Sequence, residues 1–443
     1  MAYWIVIACT TLVELYVLRR LRFDWFIALL ALIGMLVSMN YLAYTSIFER
    51  NYDGPSQILY IDEIAKHHRL PPVSIFCAAC GHPPLYYVLA ALWSQTVMAG
   101  DWIPRELGLQ WLSVLLSFGF VVFSLLLLRW TTENPVTMRL AAALVIFWPS
   151  GIISSVRVHN DALASTLMIA SMYFISRWDW RGRDRDFYWA VAATALALLT
   201  KSSGYTMAVT LLAIVVLRLL STRFSSQSIK QCATAVVVLC CAALLAVSFR
   251  VSTHQRVLCQ KVLGNACDMP GEVYGSSKLS NYFHFDLADF VRQNSSVAYP
   301  RNQDYFWNGL AKSSLFGATP LGKDFASETH KQLEACIRLL LLAMVAVCVV
   351  TLPFIRSVRW RRYRAIIGAT ASMFILLVAF HYIVPNPYHA DLRHVFPVLV
   401  PLCLLYAKVV ERLSRWSHVL HKAGIVIGLL MVASSVAFFV RVR

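Results

Sequence analysis

Long apolar stretches with arginine and lysine gathered at alternate ends constrain this chain more than any other feature of its sequence. They occupy 26–46, 107–128, 140–156, 162–175, 189–200, 205–217, 232–249, 339–355, 365–383, 395–407 and 423–440. Crossing a hydrocarbon core takes about 20 mostly apolar residues, and most of these stretches reach or approach that length. A shorter one, 3–18, has no basic leader and no small-residue cleavage site, so it reads as a retained first span and not a signal peptide. Only 14% of the 443 residues are charged and 58% are hydrophobic, whereas soluble domains are roughly a quarter charged. The expectation is an all-α polytopic membrane protein of about twelve spans.

The net charge of +17 would suggest nucleic acid in a soluble protein. Here the cations sit at the ends of apolar stretches. They form the clusters Arg19, Arg20 and Arg22; Arg129 and Arg139; Arg177, Arg181, Arg183 and Arg185; Arg218, Arg223 and Lys230; Arg356, Arg359, Arg361, Arg362 and Arg364; and Lys408, Arg412, Arg415 and Lys422. That is the positive-inside pattern, and it excludes nucleic acid as a partner in favour of membrane lipid. Parity then constrains 85–99. If that stretch crossed, every later basic loop would move to the outer side. Bounded by Pro83-Pro84 and Pro104, short, and carrying Tyr86, Tyr87 and Trp93, it reads as a helix lying at the outer interface.

The chain divides into a transmembrane core over 1–249 that includes an outer loop at 47–106, a long outer loop at 250–335 and a second bundle at 336–443. The polar residues of interest share the outer side. Asp53, just beyond a span, is either a solvated loop carboxylate or a partly desolvated base. Asp62 and Glu63 rival it, on a short amphipathic helix. Asp161, preceded by His159 and Asn160, suits a helix cap as well as a site. Lys201, and Arg393 with His394, place cations where a lipid phosphate would compensate them. Glu14 and Asn40 fall inside apolar stretches, and nothing in the sequence accounts for them.

Five motifs occur in order: "YDG", "HPPLYYVLAALW", "NDALASTLMIASMYF", "LALLTKSSGY" and "LRHVFPVLVPL". Together they resemble the GT-C superfamily of membrane glycosyltransferases, near the protein O-mannosyltransferase and lipid A aminoarabinose transferase branches. The resemblance implies a GT-C fold with surface helices in the first outer loop. It also implies a polyprenyl-phosphate-linked sugar donor, a glycan, lipid or protein acceptor of the cell envelope, and inverting transfer on the periplasmic side of a bacterial inner membrane. By the same resemblance Asp53 is the catalytic base and Asp161, with Asn160, the second acidic site. Lys201 matches the basic residue of a Leu-Thr-Lys-like motif, Arg393 the arginine before the late span, and His82, Tyr86 and Tyr87 the start of the second surface helix; charge then makes Arg393 and Lys201 the candidates to hold the donor phosphate, with His82 and His394 as secondary donors. The family's first loop often reads Asp-Glu or Asp-Gly-His, whereas Pro55 and Ser56 follow Asp53-Gly54 here, which leaves Asp62 and Glu63 open as bases.

Cys77-Ala-Ala-Cys80-Gly81-His82 lacks the histidine position of haem attachment and the second ligand pair of a zinc site. In an oxidising outer compartment, disulfides are expected as Cys77–Cys80, Cys259–Cys267 or pairs across the loops. No metal site and no cofactor is called for; a divalent cation would be compatible with a phosphate donor, but no residue pattern asks for one. Two alternatives stand beside the transferase. One is a ligase or polymerase using a polyprenyl-diphosphate-linked glycan. The other is a lipid or sugar transporter, against which the absence of a repeat and the one-sided polar motifs weigh.

Overall fold

The computed structural model describes residues 2–45, 54–71, 77–99, 102–251, 279–292, 305–317, 325–351, 360–383 and 390–440. Regular structure among them is helical. The chain opens with an antiparallel pair, α1 (Ala2–Arg20) and α2 (Trp25–Tyr44). Asp24 caps α2, its Oδ1 accepting from the Ile27 N–H at 2.9 Å, which satisfies one of the orphan donors at a helix start. The first outer loop contains α3 (Gly54–His67) and α4 (Leu85–Thr96). At 14 and 12 residues, roughly 1.5 Å each, neither reaches across a core of about 30 Å. They hold each other instead: Tyr60 stacks on Tyr87 with ring centroids 3.8 Å apart, and the Tyr87 hydroxyl donates to Gln57 Oε1 at 2.7 Å.

The core continues with α5 (Arg105–Thr131), followed by α6 (Pro135–Ile146) and α7 (Pro149–Ser155), which meet at a bend of 53°. Pro149, lacking an N–H and fixed in φ, begins the second half of that broken pair. Next come α8 (Asp161–Arg181), α9 (Asp184–Thr200), α10 (Tyr205–Ser221) and α11 (Ser226–Val251). The α8–α9 turn needs Gly182, whose φ of +70° would strain any other residue. In the second outer loop lie α12 (Leu287–Arg292) and α13 (Phe306–Phe316), joined by Lys312 donating to Asp289 at 2.6 Å. The final bundle is α14 (Glu328–Thr351), α15 (Trp360–Ile383), α16 (Leu399–Leu413) and α17 (His418–Phe439), with a 3₁₀ segment Leu392–Val398 leading into α16.

Among the described residues nine helices are long and apolar enough to cross a membrane, or ten with the bent α6–α7 pair. The expectation of about twelve exceeds this, and the difference lies in α8 and α9. Of these two, α8 runs beside α10 from one end to the other, and α9, at 17 residues the shorter, packs on α8. Arg218 near one end of α10 donates to the Trp178 carbonyl on α8 at 2.7 Å, while Lys201, just before α10, contacts Asp161 at the other end of α8. Both helices are largely interior, and their polar groups pair within the bundle, as Ser171 and Thr194 do at 2.6 Å. Interior helices face protein on most sides, so they can be less apolar than lipid-facing ones.

The basic clusters come together at one end of the bundle. Arg129 donates to the Leu21 carbonyl at 2.8 Å, Arg362 reaches Glu133 at 3.1 Å, and Arg364 Nε donates to Asp179 at 2.6 Å. Arg139 lies 3.6 Å from Asp24, and Arg181 covers the Trp130 ring at 4.3 Å. The parity argument requires loops far apart in sequence to share a side, and these contacts show them doing so.

Candidate active site

At the opposite end, the chain between α7 and α8 brings Arg157, His159, Asn160 and Asp161 under the outer helices. Asp161 is the first residue of α8, where the helix dipole favours a carboxylate. That is not its only interaction. One carboxylate oxygen contacts Lys201, and the other lies 2.9 Å from His159 Nδ1. Lys201 is 5% exposed and sits in extended backbone between α9 and α10. The following Ser202-Ser203-Gly204 turn is tight: a Cβ on Gly204 would lie 2.7 Å from the Ala197 carbonyl carbon. The glycine therefore lets α10 start against the end of α9 and keeps Lys201 pointed at Asp161. Asn160 is fully buried, and its Nδ2 donates to the Thr200 carbonyl at 3.4 Å, tying the same two segments together.

Arg393 arrives from the 3₁₀ segment. Asp391 caps that segment by accepting from the Arg393 N–H at 3.0 Å, and its carboxylate lies 3.3 Å from Arg393 Nε. Helix α13 supports the turn: Ser313 Oγ donates to the Ala390 carbonyl and accepts from the Leu392 N–H, both at 3.1 Å. The same helix docks on α7, where Trp148 Nε1 and Ser150 Oγ both donate to the Ser314 carbonyl, at 2.5 and 2.7 Å. Gly317, at the end of α13, borders Arg157. Thus the aromatic, polar end of the long outer loop folds over the site.

Arg157 and Arg393 line a small cavity of about 10 Å³ closed by Ser313, Gly317 and Asp391. Arg157 is 7% exposed. Burial above all pulls its guanidinium down from its ordinary value, the nearby Arg393 charge adds to this, and Asp391 and Asp161 oppose it. Three cations thus converge on two carboxylates, which favours an anion. A larger cavity of about 90 Å³ begins at Asp161 and Arg393 and runs inward between α2, α5, α7 and α8 along mostly apolar walls. An amphiphile with an anionic head fits this pairing of a basic outer end with an apolar shaft.

The other expected site residues divide. Tyr86 is buried on α4 near Ser113, within electrostatic reach of Asp161, and burial pushes its phenol up from its ordinary value. Tyr87 serves α3–α4 packing. His82 lines neither cavity, although its carbonyl lies 3.4 Å from the Tyr60 hydroxyl. His394 also lines neither; its ring lies beside Phe380 at 6.1 Å. Asp62 pairs with Arg105, whose Nη1 is 3.0 Å away, and Glu63 lies 3.5 Å from Arg69. Asp53, Cys259 and Cys267 lie outside the described residues. Cys77 and Cys80 form a disulfide with Cα atoms 5.3 Å apart. No group of three or more His, Cys, Asp or Glu suited to a metal occurs among the described residues. Sequence reasoning missed Arg157 and Asp391. Their only signal was proximity: each lies within a few residues of a position already singled out.

No family model and no curated protein matches this sequence. Solved structures do. The oligosaccharyltransferase AglB of Archaeoglobus fulgidus, in complex with an inhibitory peptide and a dolichol-phosphate, superposes over 94% of this chain with a TM-score of 0.51 and 14% identity. The apo form of the Archaeoglobus fulgidus oligosaccharyltransferase gives 0.52 over 95%, at 12% identity. This chain has the GT-C fold. It spans 56% of the oligosaccharyltransferase chain in both superpositions. ArnT of Cupriavidus metallidurans bound to undecaprenyl phosphate overlaps 93% of this chain and 77% of its own at 14% identity, but its TM-score of 0.36 is too low to carry a comparison. In this GT-C bundle the paired surface helices α3 and α4 and the cation cluster lie at the same end. Tyr86, on α4, is the residue that joins them.

Proposed function

We propose that this protein is a glycosyltransferase that moves a sugar from a polyprenyl-phosphate-linked donor to an envelope glycan, lipid or protein at the extracytoplasmic face. The observation that carries the reading is Arg393 at the head of an apolar cavity, with Arg157 beside it on the adjoining small cavity and Lys201 behind them on Asp161. Phosphate would sit against the two arginines, and the first part of the chain would run down the shaft. The leaving group is then a phosphate already close to its final charge, so catalysis needs cations placed for the developing negative charge more than a strong acid.

In this reading Asp53 takes the proton from an acceptor hydroxyl as it attacks the anomeric carbon, inverting configuration. Asp161 and Asp391 hold Lys201 and Arg393 in place, which keeps long flexible cations preorganised. With the basic end cytoplasmic, the site faces the extracytoplasmic side, which is the periplasm in the bacterial inner membrane that the motif resemblance suggests. The test is a transfer assay with purified protein, together with mass spectrometry of polyprenyl-linked sugars in cells with and without the gene. Asp53→Asn is expected to abolish transfer while the protein assembles normally. Full activity in that variant would remove Asp53 as the base, and an unchanged lipid-linked sugar pool without the gene would contradict the donor class.

A further inference from the structure

The two polar residues that the sequence left unexplained inside spans behave differently. Asn40 is satisfied, its Nδ2 donating to the Phe439 carbonyl on α17 at 2.8 Å. Glu14 is not. It is 2% exposed and its Oε2 has no hydrogen-bond partner among the described residues. It belongs to the single buried stripe of α1, formed by Val6, Thr10, Glu14 and Leu18. Thr10 fastens that stripe to α5 by accepting from Trp111 Nε1 at 2.9 Å. Glu14 lies six residues before the end of α1, roughly 9 Å along the axis, so it is inside the apolar layer. There it lines the larger cavity, at which Asp161 and Arg393 stand as the other charged residues.

A carboxyl at that depth is costly unless something donates to it. The cavity walls near it, with Ala31, Gly34, Val114 and Ile146, offer hydrocarbon contact; Ser38 and Ser117 add hydroxyls. We propose that Glu14 is the deep anchor of a binding site for an amphiphile whose apolar body fills this cavity and whose hydroxyl or amine donates to the Glu14 carboxyl. A plain hydrocarbon tail has no such donor, so an amphiphile seated on Glu14 and the tail of a phosphate lipid would compete for this one cavity, and only the first would use the carboxyl. The inference rests on the cavity and not on sugar transfer.

The test uses the whole protein in phosphatidylcholine nanodiscs. A hydrophobic carbodiimide labels accessible carboxyls in apolar surroundings, and mass spectrometry reads the label on Glu14. Three probes compete: geranylgeraniol, geranylgeranylamine and the methyl ether of the alcohol. The alcohol or the amine is expected to protect Glu14 at about tenfold lower concentration than the ether, the effect of about one buried hydrogen bond. Which of the two protects better identifies the donor as hydroxyl or ammonium. Equal protection by the ether, protection by none, or no label on the unliganded protein overturns the proposal. As a second measurement, equilibrium binding of the favoured probe and of the ether to the nanodisc-held protein is compared directly: Glu14→Leu is expected to lose the preference for the favoured probe, while Glu14→Gln, which keeps an acceptor, retains part of it. If both variants keep the full preference, the donor meets another residue and the proposal fails. The wild-type arms decide the matter even if Glu14→Leu does not assemble.

Discussion

The two ends of the bundle are both rich in arginine, and they use it differently. At the basic end, Arg362 reaches Glu133, whose side chain is 85% exposed, and Arg129 donates to a loop carbonyl. Arg362 is itself four-fifths covered and Arg364 meets the buried Asp179, but these pairs line neither of the two cavities and carry the positive-inside signature. At the other end, Arg157 and Lys201 are nearly inaccessible and Arg393 is four-fifths covered. They converge on two carboxylates, and the two arginines border cavities. Charge that only sets topology can remain hydrated. Charge buried beside a partly apolar cavity has been desolvated at a cost that binding an anion would offset.

Substitutions can break this contrast. The largest effect is expected from Arg393→Ala or Arg157→Ala, which should lower the rate of sugar transfer by about two to three orders of magnitude, as loss of one electrostatic donor does. Equal losses from Arg362→Ala would erase the distinction between the ends. Next comes stability. Lys201→Met leaves Asp161 buried without its lysine and is expected to cost about 3–5 kcal/mol in reversible unfolding, with Lys201→Met/Asp161→Asn recovering a good part. If the double variant is no more stable than the single, the pair is not what holds α8 to the α9–α10 turn. The smallest effect is expected from Arg362→Ala itself: no change in transfer and a stability loss of about 1 kcal/mol, since its ion pair with the exposed Glu133 contributes little and its hydrogen bond to the Trp130 carbonyl at 2.7 Å accounts for most of the loss.

Much of this arrangement is legible from the chain alone, because membrane topology is a one-dimensional problem. Charge parity placed 85–99 as a surface helix, and α4 begins at Leu85 and is too short to cross. The ordered motifs pointed to Asp161 and Lys201, which meet although 40 residues separate them. What parity supplies is depth and side; it says nothing of direction around a helix axis. His394 and Arg393 are neighbours in sequence, yet Arg393 faces the cavities and His394 faces Phe380. Arg157 was hidden for a related reason. Its burial depends on α13, which returns from the long outer loop, and no local pattern around Arg157 announces that cover. Glu14 could be seen as anomalous but not as cavity-lining until α2, α5 and α7 were assembled around it.

The measurement that bears most directly on the anion site is equilibrium binding of undecaprenyl phosphate and of undecaprenol to the purified protein, compared with Arg393→Ala and Arg362→Ala. The wild type and Arg362→Ala should prefer the phosphate over the alcohol by at least about tenfold, as expected for a charge-assisted contact in a desolvated site, and Arg393→Ala should lose most of that preference. Equal binding of the two lipids by the wild type, or the same preference in both variants, would contradict an outer-end phosphate site.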